Sequence, residues 1–125
     1  MDPDWNDSQP IYRQIRDRVV AMILDEELKA GDPLPSVRNV ATETRVNPLT
    51  VLKAYQQLAD DGLVEKRRGL GMFVETGART ALLKGEREKF LVERWPEIRA
   101  TIQRLGLTGE LLGEKPQSAN GAKER

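Results

Sequence analysis

Neither cysteine nor histidine occurs among the 125 residues. Their absence excludes disulfides, thiolate nucleophiles and zinc sites built from thiolate or imidazole. It also removes the two commonest partners in nucleophilic and acid–base catalysis. An enzyme would have to work with carboxylates and lysines in a cleft that so short a chain has little material to build. No catalytic residue, metal or cofactor is expected. Aromatic residues are scarce, at 5%. No apolar run approaches the roughly 20 residues of a membrane helix. The opening Met1-Asp-Pro-Asp-Trp is acidic, whereas a secretory leader is basic and then apolar. These features point to the cytoplasm, with no membrane partner. Net charge is missing too, since 20 Lys and Arg balance 20 Asp and Glu. Bulk charge therefore announces no nucleic acid. Its distribution adds little: 4 basic against 8 acidic residues in 1–35, 6 against 5 in 36–75, and 10 against 7 in 76–125.

What the chain does have is ordered punctuation. From Pro10 to about Leu28, Ile11, Ile15, Val19 and Ile23 recur every four residues, with Tyr12, Val20 and Leu24 widening the stripe, which is an amphipathic helix. Ser8 can cap it, and Pro10 suits a first turn because the N–H it lacks would be unpaired there. Lys29-Ala-Gly-Asp-Pro-Leu-Pro reads as a loop. Ser36 then stands as N-cap before a short helix ending near Arg45. Asn47 repeats the arrangement, with Pro48 at the first helical position and Val51, Ala54, Tyr55 and Leu58 on one face, until Asp60-Asp-Gly62 stops it. Two short capped helices so closely joined form a helix-turn-helix candidate. Leu63-Val-Glu-Lys-Arg and Met72-Phe-Val-Glu flank Arg68-Gly-Leu-Gly71 and read as a β-hairpin. Beyond Gly77 the pattern is helical again, with Leu83 and Phe90 followed by Leu91, Trp95, Ile98, Ile102 and Leu105 spaced 4-3-4-3. Pro96 lies inside that run, so a kink or a break is expected there. Gly106 ends the run, and residues 108–112 have room for one more turn.

The expected fold is mainly α with a small β-hairpin: a winged helix-turn-helix over 8–76, a helical segment over 77–112, and a disordered tail over 113–125. A helix-turn-helix lays its second helix in the major groove, and a hairpin directly after it can set its tip on neighbouring phosphates. Lys66, Arg67 and Arg68 suit that tip through their charge, and Gly69 and Gly71 through the close backbone approach they permit. A surface hairpin kept soluble by a basic turn is the bland alternative, weakened by the two capped helices before it. Tyr12, Tyr55, Val51, Ala54 and Leu58 sit on apolar stripes and read as core.

Taken together, Pro10-Ile-Tyr-Arg-Gln-Ile, Gly31-Asp-Pro-Leu-Pro-Ser-Val-Arg, Val46-Asn-Pro-Leu-Thr-Val-Leu-Lys-Ala-Tyr, Leu58-Ala-Asp-Asp-Gly-Leu-Val and Arg68-Gly-Leu-Gly resemble the GntR family of bacterial regulators. The match runs in order over about residues 9–75. The Asn-Pro-Leu-Thr-Val stretch and the short C-terminal segment resemble the YtrA-like branch, whose members carry a brief helical dimerisation region in place of a large effector domain. The resemblance implies a sequence-specific DNA-binding regulator, usually a repressor. It places Ser36 and Arg38 in the loop and first helix, where the arginine contacts DNA. Asn47, Leu49, Thr50 and Lys53 fall at the start of the recognition helix, with Thr50 matching a phosphate or base contact, and Gly69, Leu70 and Gly71 match the wing tip. Pro48 and Leu52 depart from the pattern, since many relatives outside this branch place guanine-reading arginines there. Lys53 is a candidate to compensate.

The C-terminal stripe of Leu83, Phe90, Leu91, Trp95, Ile98, Ile102 and Leu105 can pack back on its own domain or seal a two-fold interface. The interface is favoured, because the winged domain already completes a core with its first helix. A homodimer would present two reading heads to a palindromic duplex DNA operator with half-sites one turn apart. Any small-molecule effector, of unknown identity, would have to bind between the C-terminal helices or at the dimer seam. The rival function is a winged helix used for protein–protein contact, of the anti-activator kind.

Overall fold

The computed structural model describes residues 5–113, which divide into two compact units, one ending at Lys84 and the other beginning at Gly85. The expectation of a disordered tail falls, beyond Gly113, outside the described residues.

The first unit is built on α1 (Ile11–Leu24), whose four-residue repeat places Ile15, Val19 and Ile23 against the interior. Its beginning differs from expectation. Pro10 occupies the cap position and no side chain caps the helix; Ser8 lies two residues upstream of it, with its hydroxyl donating to the side chain of Asn6. The segment before the helix is instead held from inside. Gln14, buried, donates through Nε2 to the carbonyls of Asn6 and Gln9 at 2.8 Å each, and its Oε1 accepts from the Asn6 N–H at 3.0 Å. A buried amide is tolerated when its hydrogen-bonding groups are met in this way. α1 also stops four residues early, at Leu24. Glu26 adopts a positive φ of 63°, and Leu28 folds back into the core.

α2 (Val37–Thr44) and α3 (Pro48–Asp60) begin where the capping residues place them. Ser36 Oγ accepts from the Asn39 N–H at 3.0 Å, and Asn47 Oδ1 accepts from the Leu49 N–H at 2.8 Å. Three residues join them, the first being Arg45 in the left-handed region with φ 57° and ψ 43°. That conformation suits glycine or asparagine better than arginine. Val51, Ala54, Tyr55 and Leu58 of α3 are buried together with Val40 of α2 and the interior face of α1.

β1 (Val64–Arg67) and β2 (Gly71–Val74) form the antiparallel wing, pairing Val64 with Val74, Glu65 with Phe73, Lys66 with Met72 and Arg67 with Gly71. The stretch 29–35 is more than a loop. Leu34 N–H donates to Met72 O and Gly31 N–H to Val74 O, both at 2.8 Å, while Val74 N–H donates to Asp32 O at 2.9 Å. This backbone runs as a third, irregular strand along the free edge of β2, which would otherwise carry unpaired donors and acceptors.

α4 (Ala78–Lys89) spans the boundary between the units, and its first turns bury Ala78 and Leu82 in the first. Arg79 Nε donates to Leu24 O at 3.0 Å, tying that end of α4 to the end of α1. In the second unit, Phe90–Arg94 form a π-helical turn in which the Trp95 N–H donates to Phe90 O, five residues back. α5 (Trp95–Arg104) follows with Pro96 in its first turn. Pro96 is thus accommodated by a widened turn immediately before it, where a proline's missing donor and bulky ring are best tolerated. Gly106 ends α5 with φ 69°, and α6 (Thr108–Leu112) supplies the extra turn. No residue of the π turn, α5 or α6 is buried.

Candidate nucleic-acid interface

Successive residues of a helix are rotated by about 100°, so the burial of Val51, Ala54, Tyr55 and Leu58 turns Leu49, Lys53 and Gln56 outward on the opposite face of α3. Leu52 stands on the flank facing the wing, and Thr50 on the flank facing α1. Leu49 keeps 70% of its surface exposed and Leu52 38%. Lys53 leans toward α1, with Nζ 4.0 Å from the centre of the Tyr12 ring. This residue, expected to read a base edge, therefore has a competing cation–π partner, worth about 0.5–1 kcal/mol at an exposed site.

Ser36, Leu52, Lys66, Gly69, Leu70 and Gly71 are brought together with Tyr55 and Met72 around a cleft of about 300 Å³ between the recognition helix and the wing. Tyr55 fixes its floor. Its hydroxyl donates to Pro35 O at 2.7 Å, and burial pushes its pKa far above the usual tyrosine value. The wing turns through Arg68, Gly69 and Leu70, closed by Leu70 N–H donating to Arg67 O at 2.9 Å. Gly69 at φ 78° and Gly71 at φ 114° occupy the region that side chains resist. At the tip Leu70 is 72% exposed.

Lys66 and Arg68 are exposed there as the sequence suggests, whereas Arg67 is already engaged on the outer face of the hairpin. Its guanidinium lies 4.3 Å from the centre of the Phe73 ring and 3.7 Å from the Glu65 carboxylate. Arg38 is exposed in the first turn of α2. Asn47 and Thr50 border a second hollow with Arg45, an exposed basic residue that sequence reading passed over. A turn position gives no periodic signal by which to find it. Among the expected interface residues, Leu83 is half-buried in the first unit. Phe90, Leu91, Trp95, Ile98, Ile102 and Leu105 lie in the second, where the Phe90 and Trp95 rings are 6.4 Å apart. Among the described residues no helix is long and apolar enough to cross a membrane.

A recognition helix flanked by a basic, glycine-tipped hairpin is the arrangement of a winged-helix DNA-binding domain. Comparison with known proteins agrees. The family model of bacterial regulatory proteins, gntR family, matches residues 11–74. The HTH-type transcriptional regulator YhcF of Bacillus subtilis is 37% identical over 110 residues, covering 88% of this chain and 89% of that protein. The HTH-type transcriptional repressor YtrA of the same organism is 42% identical over 83 residues, 66% of this chain and 64% of that one. The solved structure of YtrA from Sulfolobus acidocaldarius, a GntR-family transcription factor, superposes with a TM-score of 0.59 at 30% identity, covering 85% of this chain and 99% of that chain. These relatives and this fold are those of transcription regulators and not of enzymes, and the chain belongs to the GntR family, in its YtrA-like branch, as a transcriptional regulator with a winged-helix DNA-binding domain.

Proposed function

We propose that the protein is a homodimeric repressor, acting in the cytoplasm on an inverted-repeat operator. The observation that carries this reading is the capped head of α3, presenting exposed side chains beside an exposed basic wing. α3 enters the major groove, with Asn47, Leu49, Thr50 and Lys53 nearest the bases. Arg38 and Arg45 reach phosphates on one side, while Lys66, Arg68 and the Gly69-Leu70-Gly71 tip reach the backbone or minor groove on the other. Residues 77–112 contribute the dimer contact, and a small-molecule effector, where one acts, binds in that segment or at its seam. Repression is supported by the likeness to YtrA of Bacillus subtilis, a transcriptional repressor.

The test is selection of duplexes from a random library followed by salt-titrated binding. A specific site is expected to exceed random duplex by about 10³ or more and to show dyad symmetry. Failure of any sequence to exceed random duplex by that margin overturns the reading.

A further inference from the structure

We infer that α3 reads thymine, through its C5-methyl group, with the side chains of Leu49 and Leu52; this rests on the proposed docking of α3 in the major groove. Leu49 is 70% exposed in the first turn of α3, the end of a recognition helix that meets base edges. Leu52, 38% exposed, lies one turn further on the wing-facing flank. Neither leucine is needed by the core, which is completed by Val51, Ala54, Tyr55 and Leu58. The cation best placed to read guanine, Lys53, is drawn to the α1 flank over Tyr12.

The thymine methyl is the apolar group that the major-groove edge offers. A leucine pressed on it removes apolar surface from water on both partners. The same leucine against guanine O6 and N7, or against the amino groups of adenine and cytosine, strips water from polar atoms and gives no hydrogen bond in return. The pair therefore selects for thymine and also against the other bases, without any donor or acceptor of its own.

The experiment replaces each thymine of one half-site of the selected duplex with 2′-deoxyuridine, which deletes only the methyl. Affinity for the full chain is measured at fixed salt. At one or two positions the substitution is expected to weaken binding about fourfold, the worth of one buried methyl. Leu49→Ala and Leu52→Ala, both at exposed positions, are expected to fold normally by circular dichroism. Each is expected to lose the thymine–uracil difference at its own position, which separates direct contact from any change in duplex stiffness. Tight, selective binding that is indifferent to uracil at every position overturns the thymine assignment and leaves the proposed function standing. So does a uracil effect that survives both alanine variants. Failure to select any duplex removes the proposed function itself, and this inference with it.

Discussion

Tyr55 links the stability of the domain to the surface proposed to face DNA. Its ring belongs to the core, while its hydroxyl reaches out of α3 to Pro35 O and holds the residues that lead into α2. Tyr55→Phe leaves that carbonyl without its donor and is expected to lower unfolding free energy by about 1 kcal/mol at neutral pH. Its pH dependence follows from the direction of the shift. Burial keeps the phenol neutral in the folded protein, whereas the unfolded phenol ionises near its ordinary value of 10.0. The stabilisation is therefore complete below about pH 10 and lost as pH rises beyond it, by up to ~1.4 kcal/mol per pH unit for one proton. Urea titrations between neutrality and high alkalinity are expected to show a shallower decline for Tyr55→Phe than for the parent; equal slopes would contradict the assignment. Arg38 makes the complementary case, being exposed on α2 and absent from the core. Arg38→Ala is expected to leave the thermal midpoint unchanged while weakening operator binding. If it meets a phosphate, the log–log salt slope falls by about 1. An unfolded or fully active variant would remove it from the interface.

The three central elements of the winged domain owe their limits to short-range chemistry. Ser36 and Asn47 each satisfy an N–H that helix geometry leaves without a partner, and each is expected to contribute about 1 kcal/mol. Asn47→Ala should lower the unfolding free energy by that amount, read as a lower urea midpoint at constant m, since nothing else about the unfolding transition changes; an unchanged midpoint would mean that Pro48 alone sets the start of α3. Because such caps act within three residues, they are legible in sequence, as are the wing's glycine-bounded strands and the four-residue repeat of α1. What sequence could not supply is tertiary. The backbone of 31–34 pairs with β2, yet it is written in glycine and proline and carries no alternation. Ser8 has a capping side chain, but the helix starts two residues too late for it, and Gln14 organises the segment from inside. Pro96 announces a disturbance, and only the folded chain answers with a π turn. On the surface proposed to face DNA, residue types and order anticipate the exposure of Leu49, Lys66 and the wing tip. The diversion of Lys53 to Tyr12 depends on a ring in a different helix, far away in sequence, and that of Arg67 to Phe73 on the register of the hairpin that holds both.

At the scale of the whole molecule the two units differ in how well each satisfies itself. The first completes a core drawn from α1, α2, α3, the wing and the start of α4. Among its described residues the second buries none: Phe90, Leu91, Val92, Leu105 and Leu111 all lie exposed, Val92 at 75%. Apolar side chains concentrated on so short a helical segment suit the contact surface proposed for it. A second copy of the chain fits the two-fold symmetry that the proposed inverted repeat demands. Leu91→Glu and Leu105→Glu change positions already open to water, at 55% and 63% exposure, so neither is expected to disturb the fold of a single chain. At a seam each would bury an unpaired carboxylate, which costs several kcal/mol. Sedimentation of the parent is then expected to give twice the 14.1 kDa chain mass, and of the double variant the single chain mass. Circular dichroism should be unchanged. Loss of the dimer should weaken binding to the full operator by about 10² or more while sparing a half-site, because linking two reading heads raises avidity by that order without new contacts. A parent that sediments as a single chain at micromolar concentration, or a double variant that remains dimeric, would show that these leucines are covered by something other than a second copy of themselves.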